Sequence, residues 1–222
     1  MKRTLFILIL ALFAFQVEGQ IIRAHPFATA QVSAGGGAVY TDDFEAYSDG
    51  NLDGQGSWIL GVANIRTYDS GVAMFASPNS ATTTNCAAIY DGVFTNNHYA
   101  EATIGFMNTT NWMGAGVRMS SSAASFDGYG LYTDGTNTML VRVVDNSRTT
   151  LANVVVGFTT NDMIRLEISG NVLSCYKNGS LITEIDDDGR VTDSTLSTGQ
   201  AGIMGYGQGS GARLADWEGG DL

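Results

Sequence analysis

The run Glu184-Ile185-Asp186-Asp187-Asp188 concentrates four carboxylates within five residues. On a regular strand Glu184, Asp186 and Asp188 share one face, as paired carboxylates must for acid/base and nucleophilic work on a glycosidic bond. A retaining pair also has to sit about 5–5.5 Å apart. Asp188 is one methylene shorter than glutamate and Gly189 follows it, so the set is incomplete for hydrolysis and reads rather as a solvated strand end. The two histidines are His25 and His98, and a Ser-His-Asp relay would rest on His98 alone, with nothing in the sequence pairing it to a nucleophile. Zinc-ligand spacing is missing. Hard oxygen ligands suited to calcium are plentiful: Asp42-Asp43-Phe44-Glu45, Asp186–Asp188 with Asp193, and Asp216 with Glu218, none of them at EF-hand spacing. Sugars offer apolar C–H faces ringed by hydroxyls, so their sites need flat rings and planar polar groups. Trp58, Tyr68, Trp112, Tyr129 and Tyr132 supply rings, and His98, Glu101, Arg118 and Asp127 supply polar groups nearby in sequence. Each of these rings also suits a core, and Trp217 reads as core.

Strands must position all of them. From Asp162 to Gly189 the chain reads as three short strands joined by two tight turns. Ile164, Leu166 and Ile168 alternate with Arg165 and Glu167, the period of a half-buried antiparallel strand. Asn178-Gly179 is the pair that tolerates the positive φ angles of a two-residue hairpin. Similar runs fall at 39–47, 57–61, 65–69, 72–76, 86–91, 98–107, 114–120, 129–134, 139–146, 150–158, 200–206 and 212–219. About fifteen strands with turn signals every 8–12 residues predict an antiparallel β-sandwich. After residue 20 no apolar period of 3.6 residues is sustained, which excludes βαβ units, and no blade-length repeat supports a propeller.

Composition narrows the class further. The chain of 222 residues suits one all-β domain. With 28 glycines, 2 prolines and 44% apolar residues, it fits many turns between real strands better than disorder. Lys2 and Arg3, the apolar run Leu5 to Phe15 and the small-residue site before Gln20 predict a secretory signal over residues 1–19. Eleven apolar residues are too few to span a bilayer, which takes about 20. Residues 20–38, running through Gly35-Gly36-Gly37, read as a flexible leader of tether composition, and 39–222 as the folded domain. The expected location is therefore secreted, extracellular or periplasmic, with no transmembrane segment in the mature chain. A formal charge of −11 repels phosphate backbones and argues against nucleic acid as a partner. Cys86 and Cys175 form no metal cluster; a single disulfide and two separate buried thiols both remain open.

Four stretches carry a family resemblance: DDFEAYSDGNLDGQGSW, GAGVRMS with FDGYGLYTD, IRLEISGNVLSCYKNG, and QAGIMGY with ARLADWEG. In this order the chain resembles the concanavalin A-like lectin/glucanase superfamily, in its laminin-G-like branch. The resemblance implies a jelly roll of two large curved sheets, with the segments Val39–Tyr47 and Ala212–Gly219 side by side. It also implies that Asp43 or Glu45 approaches Asp216, a like-charge cluster that structural calcium would relieve. It places Tyr129 and Arg118 on central strands, making them the first choices for a glycan on the concave sheet; Trp58, Tyr68, His98, Glu101 and Asp127 are the further candidates by residue type. Family 16 glycoside hydrolases of this superfamily use a Glu-x-Asp-x-(x)-Glu strand, from which Glu184, Asp186 and Asp188 depart at the second glutamate. The expected function is an exported, non-catalytic carbohydrate-binding or adhesion domain. A structural surface, matrix or appendage subunit and a divergent glycosidase are the alternatives.

Overall fold

A computed structural model of the chain describes residues 31–32, 37–48, 50–60, 65–69, 74–78, 84–122, 125–207 and 211–222. The expected signal segment and most of the expected leader lie outside the described residues. The predicted alternation is realised: Ile164, Leu166 and Ile168 have no exposed surface, while Arg165 and Glu167 stand half-buried on the other face of their strand. Eighteen strands and no helix occur among the described residues. In chain order they are β1 (Gln31–Val32), β2 (Ala38–Asp42), β3 (Gly50–Asn51), β4 (Trp58–Leu60), β5 (Ile65–Asp69), β6 (Met74–Pro78), β7 (Thr84–Tyr90), β8 (His98–Phe106) and β9 (Trp112–Ser121). They continue as β10 (Phe126–Thr133), β11 (Thr138–Val144), β12 (Ser147–Val154), β13 (Met163–Ser169), β14 (Val172–Lys177), β15 (Ser180–Leu181), β16 (Arg190–Thr192), β17 (Gln200–Gly207) and β18 (Arg213–Asp221).

Every pairing is antiparallel, and the strands form two sheets. The eleven-stranded sheet has the main order β15-β14-β13-β8-β18-β6-β5-β3, with β2 also on β18, β1 on β2 and β16 on β14. The seven-stranded sheet has the order β12-β11-β10-β9-β17-β7-β4. The end strands lie side by side as expected, β2 pairing with β18 from Trp217↔Asp42 to Gly220↔Val39. β1 falls within the stretch read as leader, where Gln31 pairs with Val39.

Two local departures have simple causes. The strand expected over 39–47 ends at Asp42, because its Oδ1 accepts the Phe44 N–H at 2.8 Å and Phe44 turns to φ 58°. The third strand of the Asp162–Gly189 stretch stops at Leu181, although Asn178-Gly179 makes the expected hairpin with φ 50° and 77°.

The two sheets face each other across a core that includes Ala100, Ala102 and Ile104 of β8, Leu166 of β13, and Ala115, Leu131 and Ile203 of the seven-stranded sheet. Trp58, Tyr90 and Trp217 interlock there, with ring centroids about 5 Å apart, an arrangement favoured by the ring quadrupoles. The indole N–H groups are satisfied, Trp58 donating to Asp42 Oδ2 at 2.7 Å and Trp217 to the Gly202 carbonyl at 3.1 Å. Cys86 and Cys175 are free and fully buried, one in each sheet.

Candidate functional site

Three of the expected glycan residues, His98, Arg118 and Tyr129, do meet, but inside the protein. All three are buried. A bulge displaces β9 at Arg118, whose backbone takes φ 47°. Its guanidinium donates to the carbonyls of Leu196 at 2.7 Å, Asn96 at 3.0 Å, and Gly170, tying three loops to one end of the sandwich. His98 Nε2 accepts the Arg118 backbone N–H at 3.0 Å, and its Nδ1 lies 2.7 Å from the Thr95 carbonyl. A carbonyl only accepts, so the proton sits on Nδ1 and the ring is neutral. Burial holds its pKa below the ordinary imidazole value. Tyr129 donates to Asp193 Oδ1 at 2.7 Å and accepts the Leu196 N–H at 3.0 Å, while Arg142 Nη1 reaches Asp193 Oδ2 at 2.6 Å. Burial raises the Asp193 pKa, but donations from the Thr195 N–H, Tyr129 and the Thr195 hydroxyl, with the Arg142 charge, leave it below the usual carboxylate range. These polar groups hold loops together and offer no face to a sugar. Trp58 likewise belongs to the inter-sheet core, 1% exposed.

The outer face of the seven-stranded sheet is built differently. A second apolar cluster lies there: Ala87 and Ile89 of β7, Met119 of β9, Phe126 and Tyr132 of β10, Val141 and Val143 of β11, and Met204 of β17. Its floor is glycine. Gly130, Gly116 and Gly202 are register partners on β10, β9 and β17. A Cβ on Gly116 would lie 2.5 Å from Met119 Sδ, and one on Gly130 2.7 Å from the Tyr132 ring, so these long side chains lie flat across the bare backbone.

The sheet also closes over itself. β7 and β12 stand five places apart in the sheet, so at about 4.8 Å per spacing a flat sheet would separate them by roughly 24 Å. Yet Asn85 Nδ2 of β7 donates to the carbonyl of Asn146, in the β11–β12 turn, at 3.0 Å. Arg148 of β12 lies 4.0 Å over the ring of Tyr206 on β17. The sheet therefore curls until opposite corners meet, its strands bent by bulges at Arg118 and opposite Leu140–Val141. The Asp145-Asn146 turn, at φ 49° and 62°, is pinned to β10 by Asn146 Oδ1 accepting the Phe126 N–H at 3.0 Å. Half-buried Trp112 and Tyr206, register partners, lie at this seam, Trp112 6.4 Å from the Tyr132 ring. Three sheltered polar atoms lie here without a well-formed hydrogen bond among the described residues: Tyr132 Oη and Arg148 Nη1, whose side chains adjoin, and Asn85 Oδ1. Unpartnered buried polar groups are costly, and three of them gather on this one face.

No protein-family model and no curated protein matches the sequence. Solved structures do. The carbohydrate binding module CBM66 from Bacillus subtilis superposes with TM-score 0.54 at 14% identity, over 72% of this chain and 91% of that one. Bacillus licheniformis beta-glucanase gives 0.55 at 12% identity, over 83% and 98%. The calcium-bound exoplasmic/lumenal domain of VIP36 gives 0.52 at 12% identity, over 82% and 90%. The fold is the concanavalin A-like jelly roll. These likenesses do not single out its laminin-G-like branch.

The remaining expected residues are scattered over the jelly roll. Glu101 lies on the outer face of the eleven-stranded sheet, in register with Arg165 and Glu218 and across the sandwich from Trp112. Burial first, then the Glu218 and Glu167 charges, raise its pKa against the pull of Arg165. Asp127 accepts the Asp145 N–H at 2.8 Å, and Tyr68 lies on β5 with its side chain outside the described residues. Glu184, Asp186 and Asp188 share no strand face. They stand exposed on a turn anchored by buried Ile185, with Asp186 and Asp187 at φ 49° and 62°. Asp43, Glu45 and Asp216 do repel one another: lost hydration and then the charges of Asp43 and Glu45 raise the Asp216 pKa against a hydrogen bond from Thr103. No three acidic, histidine or cysteine side chains among the described residues are grouped to hold a metal. Asp43 Oδ1 instead accepts the Glu45 N–H at 3.1 Å.

Of the seam residues, Trp112 and Tyr132 were visible as rings in the sequence, but Asn85, Arg148 and Tyr206 were not singled out. The signal that could have found Arg148 is its isolation, a lone cation on a strand of small and hydroxyl residues, SRTTLANV.

Proposed function

We propose that this chain is an exported, non-catalytic glycan-binding module whose site is the seam on the outer face of the seven-stranded sheet. The observation that carries the reading is the pairing of two half-buried rings, Trp112 and Tyr206, with the sheltered polar atoms of Tyr132, Arg148 and Asn85. Rings stack on the C–H faces of a sugar, and the polar atoms meet its hydroxyls. The likeness to a carbohydrate binding module supports the same reading at the level of fold. The exposed turn carrying Glu184, Asp186 and Asp188 supports binding rather than hydrolysis. Export rests on the secretory pattern of residues 1–19, and N-terminal sequencing of the secreted protein, with Gln20 expected first, checks it.

Affinity electrophoresis through gels containing a panel of polysaccharides tests the site. Retention by at least one is expected, with Trp112→Ala and Tyr206→Ala each weakening it by about fivefold or more, given roughly 1 kcal/mol or more per stacked ring. Circular dichroism should show both variants folded. Retention by none of the polysaccharides would overturn the reading. A calcium arm and an EDTA arm are included because the VIP36 domain has a calcium-bound form. Loss of retention in EDTA would give calcium a role here, and unchanged retention would remove it.

A further inference from the structure

We propose that the sugar taken at this seam is anionic, bearing a carboxylate or sulfate that Arg148 receives; the inference rests on the glycan-binding reading above. Four charged residues lie on the strands of the seven-stranded sheet: Arg118, Asp127, Arg142 and Arg148. Three are engaged within the protein. Arg118 holds three carbonyls, Arg142 pairs with Asp193, and Asp127 accepts the Asp145 N–H. Arg148 differs: no ion pair joins it to a carboxylate among the described residues, and the polar group beside it is the neutral Tyr132 hydroxyl.

Its guanidinium lies over the Tyr206 ring. Stacking engages the flat face of the guanidinium and leaves its N–H edge able to form the two parallel bonds that a carboxylate or sulfate accepts. A π face offsets only part of the cost of sheltering a full charge, and an anion offsets far more. Tyr132, with no exposed surface, stays beneath the guanidinium as its neutral neighbour, while Asn85 Oδ1, whose amide nitrogen is committed to Asn146, can only accept and so calls for a hydroxyl donor. An anion and a hydroxyl on one small ring, beside the Trp112 face, describe a uronic acid or a sulfated sugar. The choice of anion runs against the chain's formal charge of −11, so the selectivity has to come from this one short-range contact rather than from the long-range field.

Isothermal titration with short probes separates the possibilities. The probes are trimers of galacturonic, glucuronic and mannuronic acid, each beside its carboxyl-reduced form, and a chondroitin sulfate tetrasaccharide beside its desulfated form. At least one anionic probe is expected to bind about tenfold or more tighter than its neutral partner, the scale of a hydrogen bond to a charged group. Preference in the uronate pairs names the carboxylate, and preference in the chondroitin pair alone names the sulfate. Arg148→Gln should bring each pair level, and Arg148→Lys should keep part of the preference. The ratio within a pair is read on one protein, so any change in its folded fraction cancels. Equal affinities within every pair, or a preference that survives Arg148→Gln, would overturn the inference and leave glycan binding standing. Retention on neutral polysaccharide gels with no binding of any anionic probe would do the same. Binding of neither class would overturn both.

Discussion

Mild acid should loosen this protein at His98. The ring has no exposed surface, donates from Nδ1 to the Thr95 carbonyl at 2.7 Å and accepts the Arg118 N–H on Nε2 at 3.0 Å. Protonating Nε2 would set one N–H against another and leave the Arg118 amide without its acceptor, a loss of about 1–3 kcal/mol. Burial first, and the Arg118 charge after it, lower the imidazole pKa from 6.5, against the Thr95 carbonyl, Asp221 and the Gln200 backbone, which raise it. The sign follows from proton uptake: near pH 6 the unfolded chain binds a proton that the folded chain refuses. The contribution is therefore whole above about pH 6.5 and falls as pH drops, by up to about 1.4 kcal/mol per unit, until pH passes the folded pKa. Asp42 and Glu101, whose carboxyls titrate higher in the folded chain, act in the opposite sense and gain stability as pH falls. Urea unfolding from pH 7.5 to 5.0 of the natural chain and of His98→Gln isolates the histidine, because the carboxylate contributions are common to both. The variant should be weaker at pH 7.5 by about 1–3 kcal/mol, with a shallower decline toward pH 5. Parallel stability profiles would refute the assignment of a neutral, doubly bonded His98.

Two further outcomes follow from packing. Gly202→Ala would set a Cβ 2.2 Å from the Ala88 carbonyl oxygen, on the neighbouring strand, and should cost about 3 kcal/mol or more in urea unfolding. Gly170→Ala, at φ 56° with open space around it, should cost only about 1–2 kcal/mol, the strain of a left-handed backbone; equal losses would contradict the packing described for β7 and β17. Cys86 and Cys175 are fully buried and their thiols are pushed up to about 12 by burial. Ellman's reagent at pH 8 should find neither thiol in the folded protein and both in guanidinium, whereas none after unfolding would mean a disulfide.

Local chemistry carried most of the architecture. The alternation from Met163 to Ser169, the Asn178-Gly179 turn and the bounds of β5 were all legible, because side-chain period and turn dihedrals depend on near neighbours. The carboxylate run at 184–188 misled because nothing in its residue types announces that Asp186 and Asp187 take left-handed angles and end the strand register. The choice between core ring and surface ring was also hidden. Alternation says which residues share a face, but β9 reads as buried at seven successive positions, so both of its faces are covered and the contrast disappears.

What the sequence determined by itself was most of the longer strands, the Asn178-Gly179 turn and the all-β class, since each depends on residues within a few positions of one another. Tertiary structure alone decided that Trp58 and Tyr129 face inward, that Arg118 becomes a clasp, and that Arg148 reaches Tyr206. The physical reason is that curvature adds up from strand to strand, with bulges bending β9 and β12. A small bend at each spacing is invisible locally, yet across the seven-stranded sheet it brings two distant corners into contact and creates the seam.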